Sequence, residues 1–521
     1  MKKKDIILAG IVLLAILLFA FFLRAQPFLS GHSLFLPDQA RDLLLVQNMV
    51  EDKKPPMIGA RAMSGGYIFH GPFWIWILSV PFVLFQGDPL AISYVYVLIS
   101  VSIIAFSFAA AYKLFGLKVA TLTALFLTCS YTLINNVSGT TNAQLMPLVF
   151  VGYLYCLITY LRGDKKFFFF ALFFAGLGIQ FQGIFAVPLV LYLLLVSLFT
   201  DRYILNIKRI ILSGFIFMIP LATFVLFDVR HKFLIAQGLF RLLTDQKGLG
   251  VIPGYEDYGN IGFRVTDRFF ALLDTPYSIM YGTHQMLYVL LVASLIVAGV
   301  LLFRQKKMAQ ERKVFIVLFL LPVFVYTLYI YFSYPIWEHY VFSIPVVIAF
   351  IFAIALDKIS QNTYGRVIVV AIAVITLLPL VQKLKMDYFT AGQTYAVSDG
   401  SYATQLSVAD YIFTDANGEE FGYFVYSPQV FTYGMDYLLW WRGKNVYGYI
   451  PKSEKLKTFY LVMYPPLTGD EDAHAFWMKN VLKTNADVVS TKTFPGGIIV
   501  QKRMLETVEE PVDPNYYLIV R

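Results

Sequence analysis

The chain has 521 residues, of which 58% are hydrophobic, 17% aromatic and only 14% charged. A soluble domain carries about 25% charged residues, so the composition excludes an ordinary water-soluble enzyme. The net charge is +9, but the Lys and Arg sit in short loops between apolar runs. That placement marks membrane orientation and excludes a nucleic-acid-binding face.

In chain order, Met1-Lys2-Lys3-Lys4 precedes an apolar run from Ile6 to Leu23. The run is long for a signal peptide, and Leu23-Arg24-Ala25-Gln26-Pro27 is a poor small-x-small cleavage site, so a retained anchor is expected. Eleven spans are predicted, at roughly 6–24, 91–112, 119–134, 143–161, 167–182, 184–200, 208–228, 286–303, 314–333, 339–356 and 366–382. The shorter apolar segment Pro72–Gln86, interrupted by Pro81, is predicted to lie in the interface as a juxtamembrane helix. Loop charge supports this arrangement. With the N-terminus inside, the inner loops hold Lys2–Lys4, Lys113, Lys118, Arg162, Lys165, Lys166, Arg202, Lys208, Arg209, Arg304, Lys306, Lys307, Arg312, Lys313, Lys358 and Arg366. The short outer connections 135–142 and 334–338 carry no Lys or Arg, and counting 72–86 as a span inverts the bias.

Two regions follow: a membrane domain, 1–382, with outer loops 25–90 and 229–285, and an extracytoplasmic domain, 383–521. The second alternates patterns of a small α/β domain. Helices are predicted at Tyr402–Thr414, Val430–Trp441 and Ala473–Lys483. Strands are predicted at Phe421–Tyr426 and Thr458–Tyr464, with a strand pair, Asp487–Thr493 and Gly497–Lys502, around Pro495-Gly496. The expected location is the cell (plasma) membrane, with the N-terminus cytoplasmic. The two cysteines, Cys129 and Cys156, lie in apolar blocks, so neither a disulfide framework nor a zinc spacing is present.

Chemistry concentrates at the outer side. Leu36-Pro37-Asp38-Gln39-Ala40-Arg41-Asp42 reads as a helix start, with Asp38 and Asp42 on one face and Arg41 close by. Spacing leaves two readings open for Asp38: an N-cap, or an acid whose poor solvation suits it to base duty. His70, beside Gly71-Pro72, is either a solvated turn histidine or a contact to a phosphate or an acceptor. Gln180 and Gln182, Arg230 and His231, and His339 and Tyr340 sit near span ends, where interface anchoring and a polar site are both open. All of these groups map to one membrane face. The chain has no P-loop, no dinucleotide-binding glycine pattern, no His-Glu-x-x-His and no Gly-x-Ser-x-Gly, so any driving energy must come with an activated substrate.

Asp38-Gln-Ala-Arg-Asp, Gly71-Pro72-x-x-x-Trp76, Gly178-Ile-Gln180-Phe-Gln182, Asp228-x-Arg230-His231 and His339-Tyr340-x4-Pro345 together resemble membrane glycosyltransferases of the GT-C fold. The nearest likeness is to bacterial members of the protein O-mannosyltransferase and aminoarabinose-transferase superfamily. The resemblance implies a mainly α polytopic membrane protein that moves a hexosyl or pentosyl group from a polyprenyl-phosphate carrier to a glycan, lipid or protein acceptor on the outer face. Asp38 would be the general base of an inverting displacement. Arg41, Asp42, His70, Gln180, Gln182, Arg230, His231, His339 and Tyr340 would bind the donor phosphate or substrate, with Arg41, Arg230, His231 and His339 the cations for the phosphate. Two departures from the pattern stand out. The 135–144 loop has no acid, so no ligand motif supports a divalent metal, and Gly71 stands where several relatives have Lys. The competing classes are a lipid or sugar transporter or flippase, and a receptor or assembly factor working through the tail.

Overall fold

The computed structural model describes residues 3–512 except 30–32, 63–67, 136, 138–140, 245–254, 282–284, 305–308, 395–397, 429–430, 468–469 and 508. Tyr67, Val430 and Lys307, and half of the 135–142 connection, therefore lie outside the described residues. Within them, seven helices are long and apolar enough to cross a bilayer: Ile6–Leu29, Pro89–Phe115, Asn142–Leu161, Lys166–Thr200, Gln285–Arg304, Ala309–Tyr329 and Thr363–Gln382. The pair Ile207–Met218 and Ala222–Arg230, bent by 78°, makes an eighth if it is one span. The chain is a multi-pass, mainly α membrane protein.

The difference from eleven has local causes. The predicted span 119–134 is split at Ser130, whose extended backbone separates Leu117–Cys129 from Tyr131–Asn135. The span 208–228 bends where Pro220 removes a backbone donor and crowds the preceding turn. The Ile344–Ile359 helix has 16 residues, about 24 Å of rise. Phe73–Leu84, inside the segment predicted to be interfacial, has 12 residues, about 18 Å against a hydrocarbon core of about 30 Å.

Lys166–Thr200 is continuous as a run of helical residues, yet Gln182 leaves helical geometry at φ −152°, ψ 83°. Its neighbour Met146–Leu161 shows what happens there. Met146 meets Gly178, Gly152 meets the Phe174 ring and Tyr160 meets Phe168, so the first arm runs antiparallel to that neighbour. Phe150 meets Phe185, the Tyr153 hydroxyl donates to Leu189 O, and the Tyr160 hydroxyl donates to Asp201, so the second arm runs parallel. The two arms must then be antiparallel to each other. A Cβ added at Gly178 would lie 3.0 Å from the Cβ of Ala186, which closes the hairpin. One end of this module holds the amides Asn142, Gln180 and Gln182. The other holds Arg162, Lys165, Lys166, Asp201 and Arg202, with Lys165 paired to Asp201.

Arg24 is fully buried at the end of the first apolar run. It donates to Ser100 Oγ at 2.8 Å, Leu127 O at 2.9 Å, Ala20 O at 3.3 Å and Thr128 O at 3.4 Å. Two of these carbonyls end the helix that breaks at Ser130, so the guanidinium satisfies orphaned acceptors at the negative end of a helix dipole.

The chain divides into two compact units. The first contains Met1–Arg24, Pro55–Ile77 and Val95–Leu384; the second contains Ala25–Lys54, Leu78–Tyr94 and Lys385–Arg521. The second unit is built on four strands, β1 Gly422–Tyr426, β2 Thr458–Met463, β3 Asp487–Thr493 and β4 Ile499–Met504. Their order is β1-β2-β4-β3, with β1 and β2 parallel and the other pairs antiparallel. Alternate apolar residues put Phe424, Phe459, Leu461 and Met463 into a core with Trp477 and Leu482. The predicted strands and the first two predicted helices appear within a few residues, as Tyr402–Ala416 and Tyr433–Arg442 for the helices. The third winds from α into π geometry at Trp477. The first loop is stitched into this unit. Phe35 N donates to Gly400 O at 2.9 Å, Tyr402 N to Ser33 O at 2.9 Å, and Gln405 Nε2 to Phe35 O at 3.1 Å. The helix Pro37–Asp52 packs on Tyr433–Arg442, and Lys444 pairs with Glu51 at 2.9 Å.

Candidate active site

In the second unit, Pro37 occupies the first turn of the Pro37–Asp52 helix, where its missing N–H costs nothing. Leu36 is the cap position, and its N–H is taken by the Gln39 side chain at 3.1 Å. Gln39 therefore answers the capping need, and Asp38 lies one position inside the helix. Its carboxylate accepts from Arg41 Nη1 at 2.7 Å, while the Arg41 Nε and Nη2 reach Asp42 at 3.0 and 2.8 Å. The Asp42 side chain is 2% exposed and that of Asp38 is 60% exposed. Burial works against the Arg41 charge, but Asp42 and then Asp38 outweigh it and raise its pKa further. The result is an accessible carboxylate on a rigid helix start, steadied by a guanidinium locked to a buried acid.

In the first unit a polar knot forms at the Gln182 break. The chain leading into Phe73–Leu84 is pinned by Gly59 N to His70 O at 2.8 Å, His70 N to Ala60 O at 2.9 Å and Gly71 N to Gln180 O at 2.9 Å. The approach at Gly71 is so close that an added Cβ would lie 1.7 Å from Gln180 Oε1. That is the physical reason no lysine can stand at this position here. Gln180 Nε2 donates to Pro220 O and to Thr223 Oγ1, the latter at 3.1 Å. The Asn142 amide donates to Phe181 O and faces His70 Nδ1 at 2.9 Å. Since an amide nitrogen can only donate, His70 Nδ1 accepts and its proton sits on Nε2. Gln182 Nε2 donates to His339 O at 3.0 Å. Four of the predicted residues, His70, Gln180, Gln182 and His339, are thus brought into one network, to which Asn142 is an unpredicted member.

The helix Ala222–Arg230 extends from this knot. Thr223 holds Gln180, Phe227 packs on Phe69 with ring centroids 5.9 Å apart, and Arg230 Nη1 lies 3.9 Å from Met57 Sδ. Thr223, Phe227 and Arg230 follow helical spacing, so Arg230 stands about 10 Å along the axis from Thr223. His231 stacks on Phe227 at 4.0 Å, and both Arg230 and His231 are exposed. Asp228, by contrast, has a structural task, accepting from Ile235 N at 2.7 Å and Ala236 N at 3.0 Å at the start of the next helix.

Two further cations escaped sequence reasoning. Arg264 and Arg268 lie one turn apart on Ile261–Leu273 and are 8% and 1% exposed, whereas Ile261, Phe269 and Phe270 on the same helix are exposed. Arg268 pairs with Asp267 and donates to Tyr329 O and Phe332 O, each at 3.4 Å, and to Tyr334 O. The Tyr329 hydroxyl in turn donates to Tyr340 O at 3.4 Å, next to His339. Arg264 Nη1 donates to Ser333 Oγ at 2.8 Å, and its buried Nε has no hydrogen-bond partner among the described residues. The available sequence signal was a pair of arginines four apart on one face of a largely apolar helix that also carries Thr266 and Asp267. No group of three His, Cys, Asp or Glu able to hold a metal occurs among the described residues.

A family profile described as dolichyl-phosphate-mannose-protein mannosyltransferase matches residues 69–227, the stretch that contains His70, Asn142, Gln180 and Gln182 of the polar knot. The fold is similar to that of ArnT from Cupriavidus metallidurans bound to undecaprenyl phosphate, with 14% identity, a TM-score of 0.57 and coverage of 98% of this chain and 100% of that one. The apo form of the same protein gives 14% identity, a TM-score of 0.56 and coverage of 95% and 97%. No curated protein sequence gives a significant match. The chain thus has the GT-C fold of membrane glycosyltransferases.

Proposed function

We propose that the chain is an inverting glycosyltransferase that takes a monosaccharide from a polyprenyl-phosphate carrier and acts on the outer face of a cell membrane. The observation that carries the reading is the Asp38 carboxylate, accessible on a helix start and held by Arg41 over buried Asp42. An accessible carboxylate of this kind is suited to accept the proton of an acceptor hydroxyl. The hydroxyl oxygen then bonds to the anomeric carbon from the face opposite the phosphate. The bond from that carbon to the phosphate oxygen breaks, its electron pair leaves with the lipid phosphate, and the anomeric configuration inverts.

The leaving phosphate needs positive charge. Arg41 is occupied by two carboxylates, so it serves as a positioning residue for Asp38. Arg230 and His231 are exposed, and Arg264 keeps a buried donor to spare. These three are the preferred phosphate contacts, with His70 Nε2–H as a neutral donor and Tyr340 beside His339 as a further one. The GT-C fold and the undecaprenyl phosphate carried by the similar ArnT structure support a lipid-linked donor.

Purified protein in nanodiscs, assayed against a panel of polyprenyl-phosphate sugars, tests the proposal. Asp38→Asn is expected to remain folded and inserted while losing about 10²–10⁴-fold in transfer rate. Wild-type transfer by that variant removes Asp38 from the base role. Carrier movement across the bilayer without sugar transfer assigns the chain to the flippase class.

A further inference from the structure

The helix Phe73–Leu84 is apolar on all sides apart from Ser79. Trp74, Ile75, Leu78 and Phe82 are buried, yet the opposite side shows Val80, Val83 and Leu84 at 61%, 59% and 71% exposure, followed by Phe85 at 44%. A single exposed Val is ordinary, but a whole apolar helix side is not a surface that water favours. The chain then turns through Gln86-Gly87-Asp88 directly into Pro89–Phe115, a helix apolar and long enough to cross the bilayer. Asp88 Oδ1 caps that helix, accepting from Leu90 N at 2.8 Å and Ala91 N at 3.2 Å. The exposed side at 80–85 therefore lies within one short turn of a span end, at the depth where lipid begins.

That turn is gripped by the tail. Trp441 Nε1 donates to Gln86 O at 3.2 Å, Asn445 Nδ2 to the same oxygen at 3.4 Å, and the Tyr437 hydroxyl to Gly87 O. Gly87 has φ +74°, and a Cβ there would lie 2.9 Å from the Tyr437 oxygen, so the turn is shaped to fit the tail. Trp440 stacks on Phe82 at 6.1 Å. Beside this grip, the chain winds through a π-helical segment, Gly443–Tyr447, and exposes Val446 and Ile450 at 53% and 44%. Lys444, paired with Glu51, lies over the Trp440 ring at 4.9 Å, which places a partly exposed ion pair, an indole and apolar side chains in one short stretch. Tryptophan, a charged pair near water and exposed aliphatics together are the composition of a bilayer interface.

We infer that the tail segment Trp441–Ile450 is a lipid-contacting surface, through which the second unit rests on the bilayer with Val446 and Ile450 among the headgroups and upper acyl chains. The partner is the membrane surface itself, not a protein. The inference does not depend on the proposed reaction.

The test uses the full chain in nanodiscs, with Cys129 and Cys156 replaced and single cysteines carrying an environment-sensitive fluorophore. Leu84→Cys, Val446→Cys and Ile450→Cys are compared with Thr491→Cys on the exposed strand β3. Blue-shifted emission and quenching by nitroxide-labelled lipid at 84, 446 and 450, but not at 491, is the expected result. A water-like spectrum without quenching at both 446 and 450 overturns the inference, and so does its appearance at 84. A label at 491 quenched as strongly as that at 446 also overturns it, because contact would then not be local to the segment.

Discussion

Arg41 reaches two carboxylates at once, and that determines what each of the three charges can do. One positive charge shared by two negative ones leaves a net negative charge, concentrated where solvent reaches, at Asp38. Arg41→Lys keeps the charge but loses the planar fork that spans both acids. We expect kcat for sugar transfer to fall about tenfold or more with KM little changed, the signature of lost positioning and not of lost donor binding. A rise in KM at unchanged kcat would instead make Arg41 a phosphate contact. Gly71 poses the complementary case of a residue defined by what cannot be there. Gly71→Ala forces its methyl into Gln180, and a loss of about 1–3 kcal/mol is expected, read as a lower thermal midpoint in detergent. The Asp38 motif was legible because a proline, two acids and an arginine at helical spacing announce a charged helix start. Asn142 and the pair Arg264 and Arg268 were not, since one polar residue at the start of an apolar helix, or two arginines on a largely apolar one, carry no periodic signal until the chain has folded around them.

At the scale of elements, hydropathy located apolar segments well and their internal geometry poorly. It separated 167–182 from 184–200, and the structure turns back at Gln182. It missed the bend at Pro220, although a proline inside a predicted span already signals a break. It could not foresee that Ser130 would interrupt the preceding helix, a backbone event that leaves composition untouched. The sheet was easier, since strands buried on one or both faces write their period into the sequence. A charged cluster secures it: Asp415 accepts from the Tyr460 hydroxyl at 2.6 Å and from Lys502 Nζ at 3.0 Å. Burial tends to raise the Asp415 pKa, but the bonds from Tyr460 and Lys502 outweigh it and hold the group below its usual value. A carboxyl depressed in the folded state contributes fully above its unfolded pKa of about 4 and loses that contribution as pH falls through the folded value. The sheet unit is therefore expected to lose thermal stability below about pH 4. Asp415→Asn should cost about 1.5–3 kcal/mol at neutral pH and flatten the acid limb, as read from thermal midpoints across pH.

For the whole molecule, loop charge predicts a single orientation, with the first loop and the tail on the outer side. Single cysteines at Thr140 and Ser427 should react with an impermeant thiol reagent in intact cells, and one at Lys307 should not. If Thr140 and Lys307 exchange behaviour, the segment 72–86 crosses the membrane. Composition divided the chain at 382, whereas contacts gather Ala25–Lys54 and Leu78–Tyr94 with the tail. That grouping rests on pairings such as Tyr402 with Ser33 and Tyr437 with Gly87, across several hundred residues of sequence. No local pattern encodes such partners, so only the fold reveals that the helix bearing Asp38 is braced by the sheet unit.

The buried guanidinium of Arg24 also bears on how the protein is made. An arginine inside an apolar run opposes insertion by about 2.5–3.5 kcal/mol at the centre of a helix, and less toward its end. Its acceptors outside its own helix, Ser100, Leu127 and Thr128, lie 76 to 104 residues downstream. Those partners are made well after this helix, and an unpaired arginine near its end is expected to stay at the headgroups meanwhile. Seating of Arg24 is therefore expected to wait for the helix that ends at Cys129.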